Sequence, residues 1–522
     1  MRKNKTSLEK KPFLLVILDG WGFSKNQKGN AAAQASVPCY NRLWAKYPHA
    51  VLAAAGLAVG LPKGQIGNSE AGHMNIGAGR VIRQDSALIN DSIANGTFFK
   101  NPAFLQAIRW SKKKGSRLHL LGLLTGVQSA HADRRHLGAL LSLCKACGLR
   151  QVYLHLFLDG RDSLPMSGLQ YLKDLQTKLR GLNLGKIASL TGRYYAMDRI
   201  GEWKRIQATY DNLTLGNGAK TDDAAQAMRN YYAQGITDEF IPPTLVANSP
   251  PVLIEDNDAV IFFNLRTDRA KQISQAFVRK EFKGFHRKNV LSPLCFVTMT
   301  EFGPGLSEAL IAYPGRLFKQ TLPKIVGEDP RYHQFYIAES EKFPHMTYFL
   351  NGGFPKPVDR ERRLMIPSSR VKSYAEKPEM KAREITGQII KVLKEGTFNF
   401  IAVNYANPDM IGHTGNLQAA VVALEFLDKQ LVRLVRCARK MNGAMLITAD
   451  HGNVEEMIDL KTGGILTSHT ANPVPFIFAD FNARKPIQLK KRGKLSNIAP
   501  TILDFLNIPK PAEMTEESLI VR

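Results

Sequence analysis

Ser69 stands in the middle of a glycine-rich stretch, residues 60–80 (GLPKGQIGNSEAGHMNIGAGR), with Glu70 and His73 close behind it. A serine hydroxyl is a poor nucleophile at neutral pH unless a base, a depressed pKa or a metal ion assists it. Glycines let a backbone turn sharply and approach a ligand closely, so the stretch reads as a loop that presents the serine. Taken alone it is equally a connecting loop. What sets it apart is a set of acids and imidazoles elsewhere in the chain. Asp409 and His413 are four residues apart, so one helical turn places both on one face. Asp450 and His451 are adjacent, His469 lies in the turn-rich Thr-Ser-His-Thr-Ala-Asn-Pro, and Asp19 ends an apolar run. Any single pair is ordinary, since a D-x-x-x-H is usually a capped helix. Asp19, Ser69, Asp409, His413, Asp450, His451 and His469, all at strand ends or in Gly- or Pro-rich loops, are hard to explain structurally. Mixed carboxylate and imidazole ligands suit Mn²⁺, Zn²⁺ or Fe²⁺, and no cysteine cluster points to a thiolate site. Two such ions would activate Ser69 and clamp a phosphoryl group, contributing several kcal/mol to transition-state stabilisation.

A second constellation is cationic. Asp159-Gly-Arg161-Asp162, Gly192-Arg193-Tyr-Tyr-Ala-Met-Asp-Arg199 and Asn264-Leu-Arg266-Thr-Asp-Arg269 each follow a strand-like run. Arginine forks pair bidentately with carboxylate and phosphate, so three such motifs favour a small polyanionic substrate. Lys342, in Glu-Ser-Glu-Lys-Phe-Pro-His, is a further group able to neutralise phosphoryl charge.

These residues need elements to hold them. Phe13–Leu18 (FLLVIL) is short, apolar and continuous, as a buried parallel strand is, and Asp19 closes it. The pattern returns at 398–405, followed by Asp409, and at Ala444–Thr448, followed by Asp450. Between them Asn416 opens a helix whose Leu417, Val421, Leu424, Leu427, Leu431 and Leu434 share one buried face. Strand, helix, strand predicts a βαβ unit with both acids at one sheet edge. The middle of the chain has its own series: strands at 117–124, 151–158, 186–190 and 259–264, and a helix near 136–147. If the metal and serine residues share one site, both ends of the chain form one domain. The expected plan is 1–84 with 315–522 as the metal-binding domain and 85–314 as an insertion. The stretches 76–80 and 301–314 read as hinges of a cleft that opens and closes.

A chain of 522 residues exceeds one core, and 44% hydrophobic with 22% charged residues describes a globular protein. There is no apolar run long enough for a membrane span, and the basic start resembles a signal peptide only superficially, because its apolar run is short and Asp19 ends it. The five widely spaced cysteines argue against a disulfide framework and for a reducing cytoplasm. Cys144 and Cys147 read as packing residues. The net charge of +26 is spread along the chain without a basic tail, so it favours an anion site on a basic background over nucleic-acid binding.

With these residues in view, the sequence resembles the cofactor-independent phosphoglycerate mutases of the alkaline phosphatase superfamily. The resemblance runs from LLVILDGWG to TILDFL and rests on GQIGNSEAGHMNIGAGR, FLDGRD, TGRYYAMDR, EKFPHMTYFLNGG, NPDMIGHTGN, TADHGN and SHTANPVP. It implies an α/β fold with an alkaline-phosphatase-like metal domain and an inserted α/β transferase domain. It implies two Mn²⁺, other divalent ions being possible: one on Asp409, His413 and His469, the other on Asp19, Ser69, Asp450 and His451. Ser69 would become phosphoserine. Arg161, Asp162, Arg193, Arg199, Arg266, Arg269 and Lys342 would contact a phosphoglycerate, converted between its 3- and 2-phospho forms in glycolysis and gluconeogenesis. The expected protein is a cytoplasmic monomer with no nucleic-acid or membrane partner. One position departs from the family. Where Gly-Gly-Val-His-Ser-His is usual and its first His touches substrate, this chain has Thr125-Gly-Val-Gln-Ser-Ala-His131. Gln128 hydrogen-bonds but carries no charge. The contact stays with Gln128, passes to His131, or is lost.

Overall fold

The computed structural model describes residues 11–126, 129–246, 251–303, 305–460, 462–483 and 487–522. Two compact units divide the chain: Met1–Gln84 with Arg316–Arg522, and Asp85–Gly315. Each is an α/β unit built on its own eight-stranded sheet.

In the first unit Phe13–Leu18 is apolar and buried at every position, as a strand covered on both faces must be. It pairs in parallel with Phe400–Tyr405 on one side and Ala444–Thr448 on the other. The expected βαβ unit therefore exists, but Phe13–Leu18 is threaded between its two strands. Gln334–Glu339 adds a further parallel strand beyond Phe400–Tyr405. The carboxyl ends of all four lie along one sheet edge. The connecting helix, Leu417–Lys440, starts at Asn416, whose side chain accepts from Ala419 N at 2.9 Å. Its Leu424, Leu427, Leu431 and Leu434 are wholly buried, each worth roughly 2 kcal/mol of transfer free energy.

The second unit orders its strands Leu310–Tyr313, Cys295–Thr300, Ala259–Phe262, Leu118–Leu124, Val152–Leu158, Lys186–Gly192, Thr244–Val246 and Ala219–Thr221. The central strands are parallel; Thr244–Val246 runs antiparallel to Lys186–Gly192. Helix Arg134–Ala146 is capped by Asp133 and buries Cys144, and all five cysteines are free.

Three sequence expectations differ from the structure. Residues 60–80 are not one loop, because Ser69–Ala78 is a helix with Asn68 as its cap. The glycines near 76–80 serve packing: a side chain at Gly77 would collide with the Leu350 carbonyl, so this segment is a packed helix end rather than a free hinge. The stretch 301–314 is also not all linker, since Leu310–Tyr313 pairs in parallel with Cys295–Thr300. Among the described residues no helix is long and apolar enough to cross a membrane.

Candidate functional site

Four strand ends and one helix start deliver the reactive groups of the first unit. Asp19 directly follows Phe13–Leu18, and Gly20, at φ +77°, turns the chain there with the Asp409 backbone packed against it. Asp409 lies in the short helix Asn407–Gly412, with His413 at its end. Asp450 and His451 follow Ala444–Thr448, and Lys342 follows Gln334–Glu339. Ser69 is the first residue of helix Ser69–Ala78, where the backbone dipole favours negative charge on a side chain or ligand. Asp19, Asp450 and His451 are completely buried, and Ser69, Asp409 and Lys342 nearly so. Lys342 Nζ sits 2.6 Å from Asp19 Oδ1, 2.6 Å from Asp409 Oδ2 and 2.8 Å from Ser69 Oγ. Ser69 Oγ is also 2.9 Å from His451 Nε2. The predicted nucleophile and all six predicted ligand side chains thus come together around one lysine.

The donor set fits divalent metal. His413 Nδ1 is 2.7 Å from the Thr467 carbonyl and His469 Nδ1 is 2.9 Å from the Gly67 carbonyl, so each Nδ1 carries its proton toward a backbone oxygen. Their Nε2 atoms face each other at 3.0 Å and lie 3.2 and 3.1 Å from Asp409 Oδ1. Two lone-pair nitrogens this close to each other repel unless positive charge lies between them, and backbone carbonyls fixing the far nitrogen are what metal-bound imidazoles use. Asp450 Oδ1 accepts from Gly20 N and His451 N, whereas its Oδ2 is buried with no hydrogen-bond partner. Charge agrees with geometry. Three buried carboxylates face one ammonium, and the buried remainder calls for further cations. His451 Nε2 reaches both sides, 3.5 Å from Asp19 Oδ1 and from Asp450 Oδ2 and 4.0 Å from Asp409 Oδ1.

The titration behaviour follows from crowding. Burial, then the neighbouring Asp450, pushes Asp19 up to about 6 despite Lys342. Burial would also raise Asp409, yet His413, Lys342 and His469 hold it well below the ordinary carboxylate value. Burial and the adjacent His451 bring His469 down to about 4, which keeps its Nε2 lone pair unprotonated at neutral pH.

Sequence reading noticed His73 without giving it a role, and it missed Asn404, Asn453 and Glu455. His73 and Asn404 are wholly buried behind Asp19 and Asp450. Asn453 Nδ2 donates to Asp409 Oδ1 at 3.0 Å. The buried Glu455 carboxylate accepts from Gly22 N at 3.0 Å, Asn453 N at 2.8 Å, Asn472 Nδ2 at 3.0 Å and the Thr470 hydroxyl. It ties together the loops that carry Asp19, His451 and His469. The signal was present in ADHGNVEE and HTAN, but a hydrogen bond across such separations has no local sequence signature.

In the second unit the arginine motifs follow the carboxyl ends of three parallel strands, Val152–Leu158 and Lys186–Gly192 adjacent and Ala259–Phe262 one strand further along. Arg193 is 2% exposed and pairs through Nη1 with Asp159 Oδ1 at 2.5 Å and Asp162 Oδ2 at 3.1 Å. Ser129 Oγ donates to Asp162, and Thr125 to Asp159. Arg199 pairs with Asp268 at 3.2 Å, and Arg269 donates to the Met197 carbonyl at 3.1 Å. Arg161 is more open, 3.9 Å from Glu239. Burial, then Arg193, Arg199 and Arg161, push Arg269 down to about 9, the mark of guanidiniums crowded without enough anion. Arg266 acts on the same ground, lowering Asp268 against its burial. His131 is buried, its Nε2 3.9 Å from Asp162 and its Nδ1 without a partner; Thr191 Oγ1 and Arg193 Nε are likewise buried and unpartnered. Burial and Arg193 bring His131 down to about 3, so it is neutral at pH 7. Gln128 lies outside the described residues.

Fold and site define a metalloenzyme, and the family model of the metalloenzyme superfamily matches residues 11–510. The 2,3-bisphosphoglycerate-independent phosphoglycerate mutase of Clostridium kluyveri is 45% identical over 513 residues, covering 98% of this chain and 99% of its own. That of a Cyanothece species is 45% identical over 520 residues, covering 98% of this chain and 95% of its own. A solved structure of Leishmania mexicana phosphoglycerate mutase at low cobalt concentration shares the fold with TM-score 0.86 at 30% identity, over 99% of this chain and 98% of that one. The chain belongs to the 2,3-bisphosphoglycerate-independent phosphoglycerate mutase family, whose members are divalent-metal enzymes.

Proposed function

We propose that this chain interconverts 3-phosphoglycerate and 2-phosphoglycerate through a phosphoserine on Ser69, without a bisphosphoglycerate, as a step of glycolysis and gluconeogenesis. The observation that carries the reading is Ser69 Oγ at a helix start, 2.8 Å from Lys342 Nζ, among carboxylates and imidazoles whose lone pairs converge. Asp409, His413 and His469 would hold one divalent ion, and Asp19, Ser69, Asp450 and His451 the other, with Mn²⁺ as the ion in use. The mixed nitrogen and oxygen donors support that choice. When bound, the ions supply positive charge that favours the Ser69 alkoxide and neutralises phosphoryl oxygens.

The remaining work falls to the chain itself. Lys342 Nζ donates to Ser69 Oγ, stabilising negative charge on that oxygen. The Ser69 alkoxide bonds to phosphorus as the bond from phosphorus to the C3 oxygen breaks, and the C3 oxygen takes up a proton. Glycerate stays bound and turns; its C2 hydroxyl gives up a proton as its oxygen takes the phosphoryl group, and the bond to Oγ breaks to return the Ser69 alkoxide. Arg161, Asp162, Arg193, Arg199, Arg266 and Arg269 hold the substrate anion in the second unit, which acts as the transferase domain; the first unit is the alkaline-phosphatase-like metal domain. His131 makes the substrate contact that the first His of the family motif makes elsewhere; its buried, unpartnered Nδ1 supports this. Excluding water protects the phosphoserine from hydrolysis. The protein works as a cytoplasmic monomer; its free cysteines suit a reducing compartment.

The test is turnover of 3-phosphoglycerate with Mn²⁺ and no bisphosphoglycerate, with and without EDTA, while phosphate release is followed. Formation of 2-phosphoglycerate that EDTA abolishes, with little free phosphate, is expected. Phosphate release without 2-phosphoglycerate would make the chain a phosphatase instead.

A further inference from the structure

We propose that His73 and Asn404 are positioning residues that set the geometry of Ser69, Asp19 and Asp450 for the second metal ion, without binding that ion themselves. The proposal rests on the function inferred above. Both side chains are wholly buried. Asn404 Nδ2 lies 2.6 Å from Asp19 Oδ2, and a carboxylate only accepts, so the amide nitrogen must face it. The same nitrogen is 3.1 Å from His73 Nε2. Its second hydrogen therefore points at the imidazole, and His73 Nε2 is an acceptor. That fixes the tautomer with the proton on Nδ1. Nδ1 in turn lies 2.9 Å from the Ser69 carbonyl and 3.2 Å from Asp450 Oδ2.

The result is a continuous chain: Asp19 carboxylate, Asn404 amide, His73 ring, then the Ser69 backbone and the edge of Asp450. His73, Asp19 and Asp450 are close enough to read as three ligands of one ion. The hydrogen-bond directions argue otherwise. Neither nitrogen of His73 has a lone pair to give, because one accepts from Asn404 and the other carries the proton. Nδ1–H points at the Ser69 carbonyl, which leaves Asp450 Oδ2 without a hydrogen bond and available to a cation. His73 lies four residues after Ser69 on the same helix, so it also couples the rotation of the nucleophile's helix to the two acids. Outer partners of this kind usually change metal affinity by about 10- to 100-fold when removed.

The experiment titrates chelator-treated protein with Mn²⁺, following the free ion by electron paramagnetic resonance, for wild type, His73→Leu, His73→Asn and His73→Gln. Thermal unfolding in EDTA checks the fold of each. Asn places a donor where Nδ1 is, and Gln places an acceptor where Nε2 is. The proposal expects two sites in every variant, one of them weakened about 10- to 100-fold in His73→Leu and less in Asn and Gln. KM for phosphoglycerate should stay within about twofold, because the substrate arginines are elsewhere. Loss of one ion altogether in His73→Asn and His73→Gln would make His73 a ligand and overturn the proposal. So would wild-type affinities in the Asn and Gln variants, a result that stands even if His73→Leu does not fold. Failure of wild type to bind two ions would remove the functional reading itself, and this inference with it.

Discussion

The two sheets solve the same architectural problem and are charged in opposite senses. Both place functional loops at the carboxyl ends of parallel strands, where open α/β sheets bind ligands. The first fills that edge with Asp19, Asp409 and Asp450 against Lys342 alone. The second fills it with Arg161, Arg193, Arg199, Arg266 and Arg269 against fewer usable acids. One edge is short of cations and the other short of an anion. Architecture therefore chooses where a site forms, and the sign of the buried charge chooses what it binds. Under the proposed function, metal ions supply the charge missing from the first unit and the substrate anion the charge missing from the second.

The sharpest way to separate the two roles is to remove the nucleophile. Ser69→Ala should lower turnover by at least about 10⁴-fold with KM near wild type, and should weaken the second Mn²⁺, of which Ser69 is a proposed ligand, without touching the first. A coupled assay showing more than a small residue of activity would move the chemistry away from the first unit. Next in size is Arg193→Ala, which strands Asp159 and Asp162 without their buried cation. About 3–5 kcal/mol of stability should be lost, read as a lower urea midpoint. Arg269→Ala makes the contrast within the same unit. It relieves guanidinium crowding, so stability should hold, but loss of a charge-assisted contact should raise KM by about 10- to 100-fold. Equal effects of the two substitutions on stability would erase the distinction between an arginine that also braces two buried acids and one that does not.

The smallest effect concerns protons. In the second unit Asp258 Oδ2, His119, His155 and Ser189 form a buried chain with links of 3.0, 2.9 and 2.9 Å. Burial lowers both imidazoles, outweighing Asp258 at His119 and reinforced by His119 at His155. Their folded pKa lies below the unfolded value of roughly 6.5, so below that pH the unfolded chain binds more protons. Stability is then complete above about pH 6.5 and falls as pH drops, by at most about 1.4 kcal/mol per imidazole per pH unit. Urea midpoints from about pH 7.5 to 5.5 should show this slope in wild type and a shallower one in His155→Gln. An unchanged slope would mean that other groups carry the acid sensitivity.

The chemistry-bearing residues were easier to read than the backbone that holds them. Asp19, Asp409 and Asp450 each follow an apolar run, so strand-end placement is written in the local sequence. The helix face from Leu417 to Leu434 is written in its spacing. The strand order was not: nothing local says that Phe13–Leu18 threads between Phe400–Tyr405 and Ala444–Thr448. Glycine misled at 76–80, because composition does not distinguish a residue that frees the chain from one that admits a neighbour such as Leu350. Glu455 and Asn404 escaped notice for a related reason. Their value lies in long-range hydrogen bonds, and a buried Glu or Asn looks on paper like a solvated one. Arg193 was seen, but its commitment to Asp159 and Asp162 was not, since pairing depends on which strand ends are neighbours.

The most direct test of the central claim is rapid quench of the Mn²⁺-loaded protein with 3-phosphoglycerate carrying ³²P. Label is expected on the peptide containing Ser69 within a turnover, transferred to 2-phosphoglycerate afterwards, with no labelled protein in Ser69→Ala. Full turnover with no labelled peptide, or equal labelling in Ser69→Ala, would contradict that claim.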